Sequence, residues 1–112
     1  MSKAEQGKRN RANGYRFEIR IFNRVKKDAK YVIHSAGSYG LFDIVALTWD
    51  GRVRLITCKG NGYLSPQERR KLLDYIHFKQ TKHEVIELHY YKNKRSIGRK
   101  ILTKEFLNEK AR

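Results

Sequence analysis

The sequence predicts an α/β domain built on a central mixed, mostly antiparallel five-stranded sheet flanked by helices. Three observations carry this. A stretch near the start repeats apolar residues at helical spacing, a second stretch carries a helix-start signature, and five short β-rich runs lie between turn residues. The expected order is α, three strands, α, two strands, α. With 112 residues the chain makes a single domain, 1–112, with one modest core and no internal repeat.

The first dozen residues, Met1 to Ala12, are polar and basic without periodicity, and are expected to form a flexible basic arm. From Gly14 to Lys27, Tyr15, Ile21, Phe22 and Val25 lie three before and three, four and seven after Glu18. These offsets describe one helical face and put Glu18 on its inward stripe. Tyr31-Val32-Ile33 is β-rich, and Ser35-Ala36-Gly37-Ser38-Tyr39-Gly40 breaks it. A second strand follows in the apolar run Leu41 to Leu47, and Trp49-Asp50-Gly51 reads as a hairpin turn because Asp-Gly tolerates positive φ. Val53 to Lys59 then returns antiparallel. Its parity places Thr57 and Lys59 on one face and Cys58, a small packing residue, on the other.

Gly60-Asn61-Gly62 ends that strand. Ser65-Pro66-Gln67-Glu68 is a capping box with Pro at the first helical position, which predicts a helix over Pro66 to Gln80. Leu72, Leu73 and Ile76 should cover the sheet, while Tyr75 and Phe78 extend that cover or meet a partner subunit. Glu84 to Tyr91 and Ser96 to Leu102 complete the sheet around an Asn93-Lys94-Arg95 turn, and Thr103 caps a short terminal helix.

The charge balance limits the partners. Twenty-six Lys and Arg face 11 Asp and Glu, a net +15, so a polyanion is the expected partner. Nucleic acid is favoured over a membrane, since the chain has no long apolar stretch, no basic helix with an unbroken apolar face and no signal peptide. Cys58 is the only cysteine, which excludes an intrachain disulfide and a thiolate zinc cluster and fits a reducing, cytoplasmic setting.

Against this background Asp43 stands out. Ionised groups are rarely left unpaired in an apolar element, so it needs a counter-charge, a metal or a proton. Lys59, expected at the same sheet end, can supply the first, and an ordinary buried Asp–Lys ion pair is the structural alternative. Glu18, facing inward among outward bases, converges on the same place. Two acids and a lysine suit phosphodiester hydrolysis, in which carboxylates hold a hard cation such as Mg²⁺ and lysine serves the water or the developing charge.

Here the chain resembles the archaeal-type Holliday junction resolvases of the PD-(D/E)xK nuclease superfamily. The likeness runs from about Gly14 to Ile76, and its most specific part is His34-Ser35-Ala36-Gly37-Ser38 leading to Phe42-Asp43-Ile44-Val45-Ala46. The resemblance implies a restriction-endonuclease-like fold, metal-dependent resolution of four-way DNA junctions by paired symmetric nicks, a homodimer and no nucleotide cofactor. By it Glu18 is the helix glutamate, Asp43 the metal-binding aspartate, Lys59 the catalytic lysine, and Ser35 or Ser38 the loop serine. Glu18, Asp43, Thr57 and the Cys58 carbonyl would face Mg²⁺, for which Mn²⁺ substitutes. The departure is Thr57, where the family carries Glu or sometimes Gln. Thr offers only a neutral oxygen, and Glu68 is close enough in sequence to bring a replacement carboxylate.

The expected DNA contacts are Lys8, Arg9, Arg11, Arg16, Arg20, His34 and Tyr39, reading shape and phosphate rather than bases. His77, His83 and His89 have no metal-ligand spacing and are expected at the surface or in packing. Two other readings compete: a catalytically silent junction-binding protein, and a nuclease that cuts flaps or ends.

Overall fold

The computed structural model describes residues 2–35 and 40–110, with side chains at 2, 5, 13–35 and 40–109. Helix α1 spans Lys3–Lys26, followed by β1 (Tyr31–His34), β2 (Ile44–Leu47) and β3 (Val53–Cys58). Helix α2 (Pro66–Phe78) leads to β4 (Glu84–Tyr91), β5 (Ile97–Ile101) and α3 (Lys104–Lys110). The five strands form one mixed sheet in the order β1-β2-β3-β4-β5. Only β3 and β4 are parallel, because α2 crosses between them; the other neighbours are antiparallel.

Helix α1 begins well before Gly14. Ser2 caps it, its hydroxyl accepting the Glu5 N–H at 3.2 Å, so the segment read as an arm is helical backbone from Lys3. Lys, Ala, Glu, Gln and Arg favour helix without needing an apolar stripe, which is why periodicity missed this part. The buried line of α1 is Phe17, Ile21 and Val25, spaced four apart. Tyr15, assigned to that face from sequence, is exposed, and Phe17 takes its place. The helix is rotated by about one residue from the predicted face, so Glu18 sits at the flank of the stripe and is half-buried.

The sheet separates two cores, one on each face, where the length of the chain suggested a single one. On the α1 side, Phe17, Ile21 and Val25 pack against Ile44, Ala46, Ile56 and Cys58. On the other, α2 and α3 place Leu72 and Leu107 against Leu55, Ile86, Leu88 and Leu102. Strand parity divides them: Ile56 and Cys58 go to one core and Leu55 to the other. Each fully buried aliphatic side chain contributes about 2 kcal/mol of transfer free energy.

The local signals hold with trimmed ends. The capping box is complete, with Glu68 N–H donating to Ser65 Oγ at 3.1 Å and Ser65 N–H to Glu68 Oε1 at 3.2 Å, though α2 stops at Phe78 rather than Gln80. Gly51 adopts φ 86° in the β2–β3 turn, as Asp-Gly suggests. Thr103 Oγ1 accepts the Phe106 N–H at 3.2 Å at the start of α3. Strand β2 begins at Ile44, so Asp43 lies at its mouth rather than within it. No described helix is long and apolar enough to cross a membrane.

Candidate active site

Asp43 is fixed by three strand ends at once. Its N–H donates to the Ile56 carbonyl and its carbonyl accepts the Ser35 N–H, both at 2.8 Å. Its Oδ2 accepts the Cys58 N–H at 2.7 Å. The ladder aligns Ile44 with Ile56, and one residue beyond it the carboxylate reaches over to satisfy the next β3 amide. Burial pushes the Asp43 pKa up; the Cys58 amide pulls it back, the Glu18 charge raises it again, and Lys59 and His34 lower it, leaving a net rise. A carboxylate raised chiefly by burial, with a second carboxylate adding to the rise, is where a cation would be welcome.

Glu18 reaches the site from α1. Its Oε2 lies 3.0 Å from His34 Nε2, and the imidazole sits beside the rings of Tyr15 and Phe22. His34, expected from sequence to touch DNA, is a half-buried partner of Glu18.

Lys59 follows β3 directly, and its ammonium lies 2.5 Å from Glu68 Oε2. Burial alone would raise the Glu68 pKa, but bonds from Lys59 and the Ser65 amide hold it below the usual carboxylate range. Gly62, at φ 72°, lets the chain turn back with its N–H on the Lys59 carbonyl, and this turn brings α2 and its capping glutamate over the strand end. Thr57 is 5% exposed and lines the same cleft as Lys59 and Glu68, on the α2 side. Cys58 points the other way into the α1 core, where burial pushes its thiol far up and leaves it inert.

Glu18, Asp43, Thr57, Cys58, Lys59 and Glu68 all line one open cleft of about 760 Å³. Thus five residues named from sequence converge, and Glu68, named there only as an alternative, joins them. Ser35 contributes backbone to the Asp43 clasp. Ser38 and Tyr39 lie outside the described residues, as do the side chains of Lys8, Arg9 and Arg11. Arg16 and Arg20 are exposed on α1, the Arg20 guanidinium lying 5.6 Å from the Tyr91 ring centre.

Among the described residues no group of three or more His, Cys, Asp or Glu side chains is arranged to hold a metal ion. The donors nevertheless suit a hard cation of the Mg²⁺ type, which commonly takes only one or two carboxylates and completes its shell with water and substrate phosphate. Asp43 and Glu18 would be those carboxylates.

Sequence reasoning passed over a second charged cluster. Glu87, in the apolar run of β4, is 3% exposed and receives Arg54 through Nε and Nη2, both at 2.8 Å, with His89 Nε2 also 2.8 Å away. The signal was present: Glu87 lies in an apolar strand as Asp43 lies in an apolar run. Burial opposes its charge, yet Arg54 and His89 hold its pKa at about 2. This cluster is fully paired and lies away from the cleft. Compared with family models, curated proteins and solved structures, the chain matches none.

Proposed function

We propose that this protein is a structure-selective, metal-dependent DNA endonuclease of restriction-endonuclease-like fold that resolves four-way junctions by paired nicks. The observation that carries the reading is the convergence of Glu18, Asp43, Thr57 and Lys59 in one cleft at the β2–β3 end. The element order and the net charge of +15 support it.

In this reading Asp43 and Glu18 would hold Mg²⁺ or Mn²⁺, which when bound supplies Lewis-acid polarisation of the phosphate and a water of lowered pKa. The chain's own residues do the rest. Two backbone bonds hold Asp43 in place and the Cys58 N–H orients its carboxylate before substrate arrives, so little ordering is needed at the moment of reaction. His34 does the same for Glu18. The Lys59 ammonium, steered by Glu68, neutralises charge at the phosphate. Exposed Arg16 and Arg20 anchor the backbone without reading bases. Two coordinated nicks from a domain with one site call for a two-fold homodimer.

A second reading has a specific observation behind it. Thr57 is neutral and the Glu68 carboxylate is occupied by Lys59, which leaves the site one acid short and favours a junction-binding protein with little or no cleavage. Incubating a labelled immobile four-way junction with the protein and with Thr57→Glu, in Mg²⁺ or Mn²⁺, separates the two. Symmetric nicks from the unmodified chain establish the nuclease. Binding without nicks, with cutting restored by Thr57→Glu, establishes the silent binder, and cutting confined to flaps or ends points to an end-processing nuclease.

A further inference from the structure

The cleft continues past the proposed catalytic residues along α2. Glu68, Lys71, Tyr75, Phe78 and Lys79 fall at offsets of 0, 3, 7, 10 and 11 and line one wall, while Leu41 and Phe42 line the same cleft. Such spacing makes one helical stripe, about 15 Å from its acidic end to its aromatic end. Its chemistry changes along the way: charged at Lys59 and Glu68, aromatic at Tyr75 and Phe78.

Phe78 is the informative residue. It is 74% exposed at the last position of α2, its ring meeting His77 edge-to-face at 4.4 Å. Tyr75, by contrast, is structural: its hydroxyl donates to Glu84 at 2.7 Å and its ring meets Phe42 edge-on at 5.1 Å. This wall therefore has a fixed floor, Phe42 and Tyr75, beside an exposed ring. Lys71 and Lys79 flank it, and Asp74 on the same wall leaves them a net charge of only +1. A pure phosphate track would be lined by arginine and lysine throughout. An apolar floor with a free aromatic face and two flanking lysines suits the base of a nucleotide whose phosphates run past the lysines.

We infer that the α2 end of the cleft binds unpaired nucleotides of the strand being processed, with Phe78 stacking on a base. A four-way junction is then bound with nucleotides at its crossing point unpaired beside the scissile phosphate, and a forked duplex presents the same kind of unpaired strand. This deepens the proposed function and rests on its placing nucleic acid in the cleft. A second copy of this chain is a poorer occupant, because two bodies of charge +15 would meet at a wall that carries little negative charge.

The test is binding in EDTA, which makes the readout independent of cleavage. Fluorescence anisotropy compares a forked duplex carrying one unpaired arm with a blunt duplex, for the wild type, Phe78→Ala, and Trp49→Ala as a control at an exposed aromatic residue that does not line the cleft. In a parallel titration, 2-aminopurine placed in the unpaired arm reports stacking. We expect Phe78→Ala to weaken fork binding about tenfold, the loss of one stacked base, with duplex binding unchanged and the 2-aminopurine quenching lost. Trp49→Ala should behave as wild type. Equal fork affinity for Phe78→Ala, an equal loss on both DNAs, or a change in sedimentation coefficient of the free protein would each overturn the inference. Fork binding that depends on Phe78 but is never followed by cutting in Mg²⁺ would sink the nuclease reading alone.

Discussion

The Lys59 ammonium lies 2.5 Å from the Glu68 carboxylate, so the lysine following β3 is held by the acid that caps α2. The pair is about one-third exposed and contributes little to stability, on the order of 0.5 kcal/mol. Its effect is positional. Glutamine at the same place keeps the capping box, since its side-chain oxygen still accepts the Ser65 N–H. Glu68→Gln is therefore expected to leave the melting temperature within a few degrees while tightening DNA binding, as it removes a negative charge from the cleft and releases Lys59 toward phosphate. Parallel melting curves and junction titrations check it; a weakened complex would show that Glu68 does not compete with phosphate for Lys59.

Asp43→Asn separates charge from geometry, because the amide oxygen can still accept the Cys58 N–H. The Asp43 pKa is raised in the folded protein above the ordinary 3.8, so the folded state holds that proton more tightly than the unfolded chain does. The ionised carboxylate therefore costs stability at neutral pH, and the cost fades as pH falls through the folded-state pKa toward 3.8. The variant should melt higher than wild type at pH 7 and converge with it in acid. It should also lose any cleavage while keeping or strengthening junction binding. Retained cleavage would remove Asp43 from the site.

Thr57→Glu tests the missing charge. Thr57 is buried in the cleft wall, and a carboxylate there stands near Asp43. In EDTA the variant is expected to be less stable than wild type, by about 1–3 kcal/mol for an uncompensated charge, and to melt lower. Adding Mn²⁺ should raise its melting temperature more than that of wild type, through preferential binding to the folded state. Equal Mn²⁺ shifts in the two proteins would count against a cation site at this position.

The Arg54–Glu87–His89 cluster predicts the acid limb of stability. With the Glu87 pKa at about 2 when folded against 4.5 as the ordinary value, the folded state binds that proton less readily than the unfolded chain. Its stabilisation is complete above about pH 4.5 and is lost as pH falls toward 2. Glu87→Leu, which strands the Arg54 guanidinium, should cost about 3 kcal/mol at pH 7 and flatten the pH profile of stability in that window. Chemical denaturation between pH 2 and pH 7 supplies the comparison.

Phosphate anchoring predicts a salt signature. Arg16→Ala and Arg20→Ala should each weaken junction binding on all arm sequences alike, and each should reduce the slope of log K against log salt by about 1. A sequence-dependent loss would show that these arginines read bases.

The element order, the hairpin at Gly51, the capping box at Ser65–Glu68 and the parity of Thr57, Cys58 and Lys59 could all be read from the chain, because each is a local rule of backbone geometry or side-chain alternation. So could the convergence of Asp43 with Lys59, since a tight antiparallel return brings both to one sheet end. What the tertiary structure decided is partnership. The choice of Phe17 over Tyr15 for the core depends on how α1 rotates against β2 and β3, and helical period alone tolerates either. The pairing of Glu18 with His34, and of Glu87 with Arg54, joins residues 16 and 33 positions apart, where the distance is set by packing and no spacing rule applies. The meeting of Lys59 with Glu68 has the same origin: the turn at Gly62 and the burial of Leu72 fix where the start of α2 lies, and that position decides which acid reaches the lysine.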